Sequence, residues 1–129
     1  MKKLGYTLLA LLIIFIVMLV YGSLADPTPR DAISFVERAV SKQMKDPDSA
    51  QFNNVNFYPD SSEKAGSISG TVCGYVNGKN SFGAYAGNVR FVSHVTVTDN
   101  GRQANMSKPF VENSDTSTLM DSLWEQQCK

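Results

Sequence analysis

The sequence predicts an α+β fold, in which an N-terminal transmembrane helix is followed by a small antiparallel β-sheet packed by an N-terminal and a C-terminal helix. Three observations carry that prediction. Leu4 to Tyr21 is an apolar run without a charged side chain. Two later stretches, one starting at Thr28 and one ending at Cys128, repeat their apolar residues at three- and four-residue spacing, the period of a helix with one buried face. Between them lie four short segments rich in β-formers and separated by turn chemistry.

The first element is the membrane segment. In "LGYTLLALLIIFIVMLVYGSLA" only Gly5, Tyr6 and Thr7 interrupt the run to Tyr21, and a bilayer tolerates all three. Spanning the hydrocarbon takes about 20 apolar residues, whereas the central region of a cleavable signal is about 7 to 15 long. This run lies between the two lengths and exceeds what a signal needs. Lys2 and Lys3 resist export, which keeps the N-terminus cytoplasmic and sends the chain after Ala25 across the membrane. Residues 1–25 are therefore expected to be a single-pass inner-membrane anchor, and 26–129 one periplasmic domain. Cleavage before Asp26 is the alternative, since Ser23-Leu24-Ala25 puts small residues at the two positions signal peptidase reads. Tyr21 suits the outer interface, and no cysteine in this region offers a lipid attachment point.

The exported part is long enough to bury a core without help from a metal. Setting aside Lys2 and Lys3 leaves ten basic against twelve acidic side chains, a net charge of −2. That argues against nucleic acid as a ligand, which needs clustered Lys and Arg to displace counterions from phosphates. Cys73 and Cys128 lie 55 positions apart. An even count in an exported domain suggests one disulfide that staples the C-terminus. Two separate thiols remain the alternative, because sequence does not set the distance between their Cα atoms.

The helix before the sheet reads "TPRDAISFVERAVSKQM", with Thr28 as N-cap, Pro29 at the first helical position and Asp31 near the positive helix end. Ala32, Ile33, Phe35, Val36, Ala39, Val40 and Met44 form its apolar face. Pro47 disfavours helix at Asp46, and Asp46-Pro47-Asp48 is suited to capping one new turn through Ala50. The β-segments are "VNFY" (55–58), "SISGTVCGYVN" (67–77), "NVRFVSHVTVT" (88–98) and "QANMSKPFV" (103–111), arranged most economically as a meander, with Asn100-Gly101 in a tight turn. In the third, Val89, Phe91, Val95 and Val97 alternate with Arg90, His94, Thr96 and Thr98, which predicts one core face and one facing water. Gly70 and Gly74 interrupt the second segment and suggest a bulge or a large neighbour. Asp115 or Thr116 begins the last helix, whose stripe Leu119, Met120, Leu123 and Trp124 is expected to lie across the sheet or the first helix.

Chemistry is sparse. Gly78-Lys79-Asn80-Ser81-Phe82-Gly83 lacks the Gly-Lys-Ser/Thr ending and the following helix that would hold a phosphate. His94, mid-strand, has no acid or nucleophile at motif-like spacing, and Asp46 with Asp48 lacks a third ligand or a histidine. No catalytic residue, cofactor site or metal site is expected, and the chain reads as a non-enzyme. What remains is the loop from Gly78 to Gly87, where Lys79, Asn80, Phe82 and Tyr85 stand between two strands. These four are the candidate partner-binding residues, since exposed aromatics with polar neighbours make protein contacts. The alternative folds Phe82 and Tyr85 back onto the sheet edge.

Asp46-Pro47 with Ser49, Ala50 and Phe52, then "VCGYVNGKNSFGAYAG" with Arg90 and Phe91, resembles a motif pair of small membrane-anchored exported proteins of bacteria and their prophages. These read as a DP-S-A-F turn followed by a CG-VN-KNS-G-Y-G segment. The likeness covers about residues 45–92 and the layout of anchor plus small domain. Some prophage proteins of this size and layout are superinfection exclusion proteins, which stop a second phage from delivering its DNA through the inner membrane. The resemblance thus implies a protein that binds a phage or host component of DNA entry at the periplasmic face. A cleaved periplasmic or secreted inhibitor and a structural subunit of an envelope complex are the other functions compatible with the layout.

Overall fold

A computed structural model describes residues 2–23, 25–62 and 64–129. Helix α1 (Lys2–Ser23) contains an apolar stretch, Lys3–Gly22, long enough to cross a membrane, with its side chains exposed from Lys3 to Gly22. Leu24, the middle residue of the cleavage-site triplet, lies outside the described residues.

Helix α2 (Pro29–Ser41) starts as its sequence dictates. The Thr28 amide donates to Asp31 Oδ2 at 2.7 Å while the Asp31 amide donates to Thr28 Oγ1 at 3.4 Å, a reciprocal capping box that gives the Thr28 amide its acceptor. The Thr28 amide, and the Thr28 hydroxyl that also donates to Asp31 Oδ2 at 2.8 Å, hold the Asp31 carboxyl below its ordinary range. Ala32, Val36 and Val40 are fully buried. The helix stops at Ser41, before Met44, and the amides of Gln43 and Met44 close shorter turns on Val40 and Ser41. A single 3₁₀ turn follows at Pro47–Ser49. The sequence suggests a cap from Asp46, but its side chain makes none; the Ser49 hydroxyl ties the turn instead by donating to the Asp46 carbonyl at 2.8 Å.

The sheet holds β1 (Gln51–Pro59), β2 (Ile68–Asn77), β3 (Val89–Thr98), β4 (Gln103–Met106) and β5 (Phe110–Val111). Its order is β1-β2-β3-β4, antiparallel throughout, with β5 also paired to β3. The expected fourth strand is therefore two. Pro109 has no amide for a ladder, and Ser107-Lys108-Pro109 leaves it: the Ser107 carbonyl accepts from the Ser93 hydroxyl at 3.2 Å and the Pro109 carbonyl from Gln43 Nε2 at 3.0 Å. β1 begins earlier than expected because a bulge lets it continue. Asn53 pairs with Tyr75 and Asn56 with Cys73, so Asn54 and Val55 share Gly74, with Asn54 at φ 48. A Cβ at position 74 would stand 2.8 Å from Val55 Cγ2, and one at position 70 would stand 2.3 Å from the Tyr58 carbonyl and 2.7 Å from the Phe57 ring. One glycine admits the bulge and the other admits a ring.

Two cores sit on opposite faces of the sheet. On one, Val72, Val76, Phe91, Val95 and Val97 pack against Ala32, Val36 and Val40 of α2, and the Phe52 ring meets Phe91 edge-on at 5.7 Å. The other face, expected to meet water, does so only in part. Helix α3 (Ser117–Gln127) covers it around Cys73 and Val92 with Met120, Trp124 and Cys128. The Cys73–Cys128 disulfide, with Cα atoms 5.9 Å apart, ties the end of α3 to the central strand. Leu119, assigned to the apolar stripe from sequence, is turned outward and more than half exposed. Thr116 precedes α3 without a side-chain cap, and its hydroxyl instead accepts from the Asn113 amide at 2.9 Å.

Candidate functional site

The loop between β2 and β3 is a small organised hairpin. Asn77 and Gly78 begin it: the Gly87 amide donates to Asn77 Oδ1 at 3.0 Å and the Ala86 amide to the Gly78 carbonyl at 3.2 Å. Lys79 and Tyr85 form a bridge across it. The turn itself is built on Asn80, whose Oδ1 accepts from the amides of Phe82 (2.9 Å) and Ala84 (3.1 Å), while its own amide donates to the Ala84 carbonyl at 2.8 Å. One short amide side chain thus replaces water for two tip amides. Gly83, at φ 79, supplies the left-handed residue that closes the turn.

That framework separates the two aromatics. Phe82 is 95% exposed at the tip. Tyr85, 43% exposed, leans toward β1, where its hydroxyl accepts from Gln51 Nε2 at 3.1 Å, and Lys79 Nζ lies 5.7 Å from its ring centre. The two sequence alternatives therefore each describe one residue: Phe82 is offered and Tyr85 is half folded back. Asn80 is a frame residue, its side chain spent on the turn.

The two segments that carry the sequence resemblance meet here. Ser49 is buried beneath the loop and its hydroxyl accepts from the Lys79 amide at 2.8 Å while donating to Asp46. Met44 Sδ lies 3.2 Å from where a Cβ on Gly78 would be, which leaves no room for a side chain there without a shift. Beside the loop runs an open groove of about 230 Å³, with Met44, Val76 and Val89 among its apolar lining and Lys45 and Lys79 among its polar residues. Ser49 and Gln51 as supports of the loop were missed by sequence reasoning, although the spacing of the DP-S-A turn contained the signal. Comparison with protein-family models, curated proteins and solved structures finds no match.

A second polar cluster borders α3. Arg90 reaches Glu112 through two bonds, Nε to Oε2 at 2.9 Å and Nη2 to Oε1 at 2.6 Å, and Asp121 Oδ1 at 2.8 Å, with Trp124 5.8 Å from the guanidinium. The paired hydrogen bonds hold the Glu112 carboxyl below its ordinary range and the Arg90 guanidinium above its own. Trp124 also stacks at a tilt on Tyr75, with ring centres 5.5 Å apart. The Arg90 guanidinium bridges Glu112 to Asp121 of α3, which suits the cluster to docking α3.

The structure also gives His94 partners that lay far away in sequence. Its Nε2 is 2.8 Å from Asp60 Oδ2, to which the Ser69 hydroxyl donates at 2.9 Å, and Ser69 Oγ lies 2.8 Å from Thr96 Oγ1. The bond to His94 is the chief reason the Asp60 carboxyl titrates below its ordinary value. Serine bonds the carboxylate and not the imidazole, so the three groups are not ordered as a serine–histidine–acid relay. Among the described residues no group of three or more His, Cys, Asp or Glu side chains is placed to hold a metal.

Proposed function

We propose that this chain is a non-enzymatic binding protein anchored in the inner membrane, with its N-terminus cytoplasmic and residues 26–129 periplasmic. Its tip occupies a protein component of phage DNA entry at the periplasmic face and so excludes a second phage. The observation that carries the binding reading is Phe82, 95% exposed on a turn whose backbone Asn80 holds rigid. A large aromatic presented on a preorganised frame loses little conformational entropy on docking and fills a pocket well, the property of binding hot spots. The disulfide fits an oxidising compartment, and α1 is long and apolar enough to be the anchor. An anchored domain also gains effective concentration around any target in the same membrane. The choice of phage exclusion over other binding roles rests on the resemblance of the DP-S-A-F and CG-VN-KNS-G-Y-G segments.

The test is expression in a phage-sensitive host. Adsorption should proceed while DNA entry fails, and Phe82→Ala should restore entry at unchanged levels of folded protein. No protection against a broad panel of phages, or full protection by Phe82→Ala, would overturn the proposal. A mature protein beginning at Asp26 in the soluble periplasm would point instead to a secreted inhibitor.

A further inference from the structure

We infer that Phe82 is carried at the end of the domain remote from the bilayer and anchors a protein partner there; it is not a lipid-inserting wedge. The inference rests on α1 being the anchor, as proposed above, and draws its content from chain topology. An exposed aromatic on a membrane-tethered protein has two uses, burial in lipid or burial in a partner, and position separates them. The chain leaves α1 at Ser23 and re-enters regular structure at Pro29, so five intervening residues limit the tether to roughly 20 Å even when fully extended. The tether meets a defined end of the domain: Asp26 and Pro27 line an open groove of about 490 Å³ together with residues 64–67 of the β1–β2 connection and the start of β2 at Ile68 and Ser69. Asp31, in the first turn of α2, sits against Gly101 of the β3–β4 turn, where an added Cβ would stand 2.8 Å from its carboxyl carbon.

From that end β2 runs from Ile68 to Asn77, and nine steps of strand cover roughly 30 Å. The hairpin continues beyond it, which puts Phe82 roughly 40 Å from the tethered end. Helix α2 runs the same way, its last turn leading to Met44 against Gly78. The remote end also carries the loop's polar company: Lys79 beside Tyr85, and the groove flanked by Lys45 and Lys79 with Met44 and Val76 inside. An apolar side chain neighbouring a carboxylate on another protein matches that groove, whose lining includes Asn80, the frame of the turn that carries Phe82.

The experiment uses the full chain, disulfide intact, in nanodiscs containing acceptor-labelled lipid headgroups. A donor fluorophore is placed on Ser62→Cys in the β1–β2 connection, or on Ser81→Cys beside Phe82. Transfer should be strong from position 62 and several-fold weaker from position 81, and Phe82→Ala should leave both unchanged. Equal or stronger transfer from position 81, relieved by Phe82→Ala, would overturn the inference in favour of a lipid wedge. Protein recovered free of nanodiscs would overturn the anchor itself. Failure of phage protection leaves the ranking of the two positions intact and so counts against exclusion alone.

Discussion

Replacing Cys128 by alanine opens the covalent link between α3 and β2 and tests what holds the second core. The bridge closes a loop of 55 residues. Chain entropy over a loop of that length corresponds to about 4 kcal/mol, within the roughly 2–5 kcal/mol usually lost with a native disulfide. The other restraints on α3 are weaker. Burying Met120 contributes about 2–3 kcal/mol, while Asp121 is largely exposed, so its pair with Arg90 contributes well under 1 kcal/mol. Trp124 is the chain's one tryptophan and lies on α3 against Tyr75 and Arg90, which makes its emission a local reporter. With a urea slope of about 1.5 kcal/mol/M for a domain of this size, the midpoint should fall by roughly 2–3 M. Trp124 emission should also shift red before the transition as α3 loosens. A midpoint unmoved within about 0.5 M, with unchanged emission, would refute the reasoning and assign α3 docking to Met120 and the Arg90 cluster.

Four further outcomes are expected. A reporter enzyme active only in the periplasm, fused after Lys129, should be active and remain in the membrane fraction; activity confined to a cytoplasmic reporter would reverse the topology. Gly74→Val should destabilise by about 1–3 kcal/mol, measured by urea unfolding, because its side chain collides with Val55 and Phe91 at the bulge. Ser49→Ala should cost about 1 kcal/mol and raise hydrogen exchange at the Lys79 amide above that of its β2 neighbours, since that amide loses its acceptor. Stability should hold above pH 5 and fall as pH drops through and below 4: the folded-state pKa values of Asp31 and Glu112 lie under their ordinary 3.8 and 4.5, so protons favour the unfolded chain there. Glu37, whose partial burial raises its pKa, acts in the opposite sense, and Glu112→Gln should flatten the acid limb.

Much of the fold was written locally. Thr28 and Asp31 specify their cap within four residues, and Asn100-Gly101 specifies its turn in two, so both were legible. The helix and sheet faces followed from periodicity where neighbours were apolar on one side only. Where a long-range partner decides, sequence reasoning stopped short. The extension of β1 back to Gln51 depends on a bulge opposite Gly74, and the division of the last strand depends on Ser93 and Gln43 taking the carbonyls that Pro109 strands outside the ladder. Leu119 fits the helical period but lies at the rim, where α3 turns past the covered part of the sheet. For the loop, composition marked Phe82 and Tyr85 alike. The Lys79 bridge and the Gln51 side chain, supplied by another strand, distinguish them.

On the anchoring proposed above, the bulge in β1 also bears on how copies of the domain meet one another. Among the described residues β1 pairs only with β2, so its outer side is an open edge. Tethered copies would meet in the same orientation and at high surface density, the condition under which open edges zip together. Asn54 at φ 48 breaks the row of amides mid-strand, and Pro59 withholds one at its end. If α1 anchors the domain as proposed, a crowded layer of copies lacks a continuous template for growing one sheet into the next.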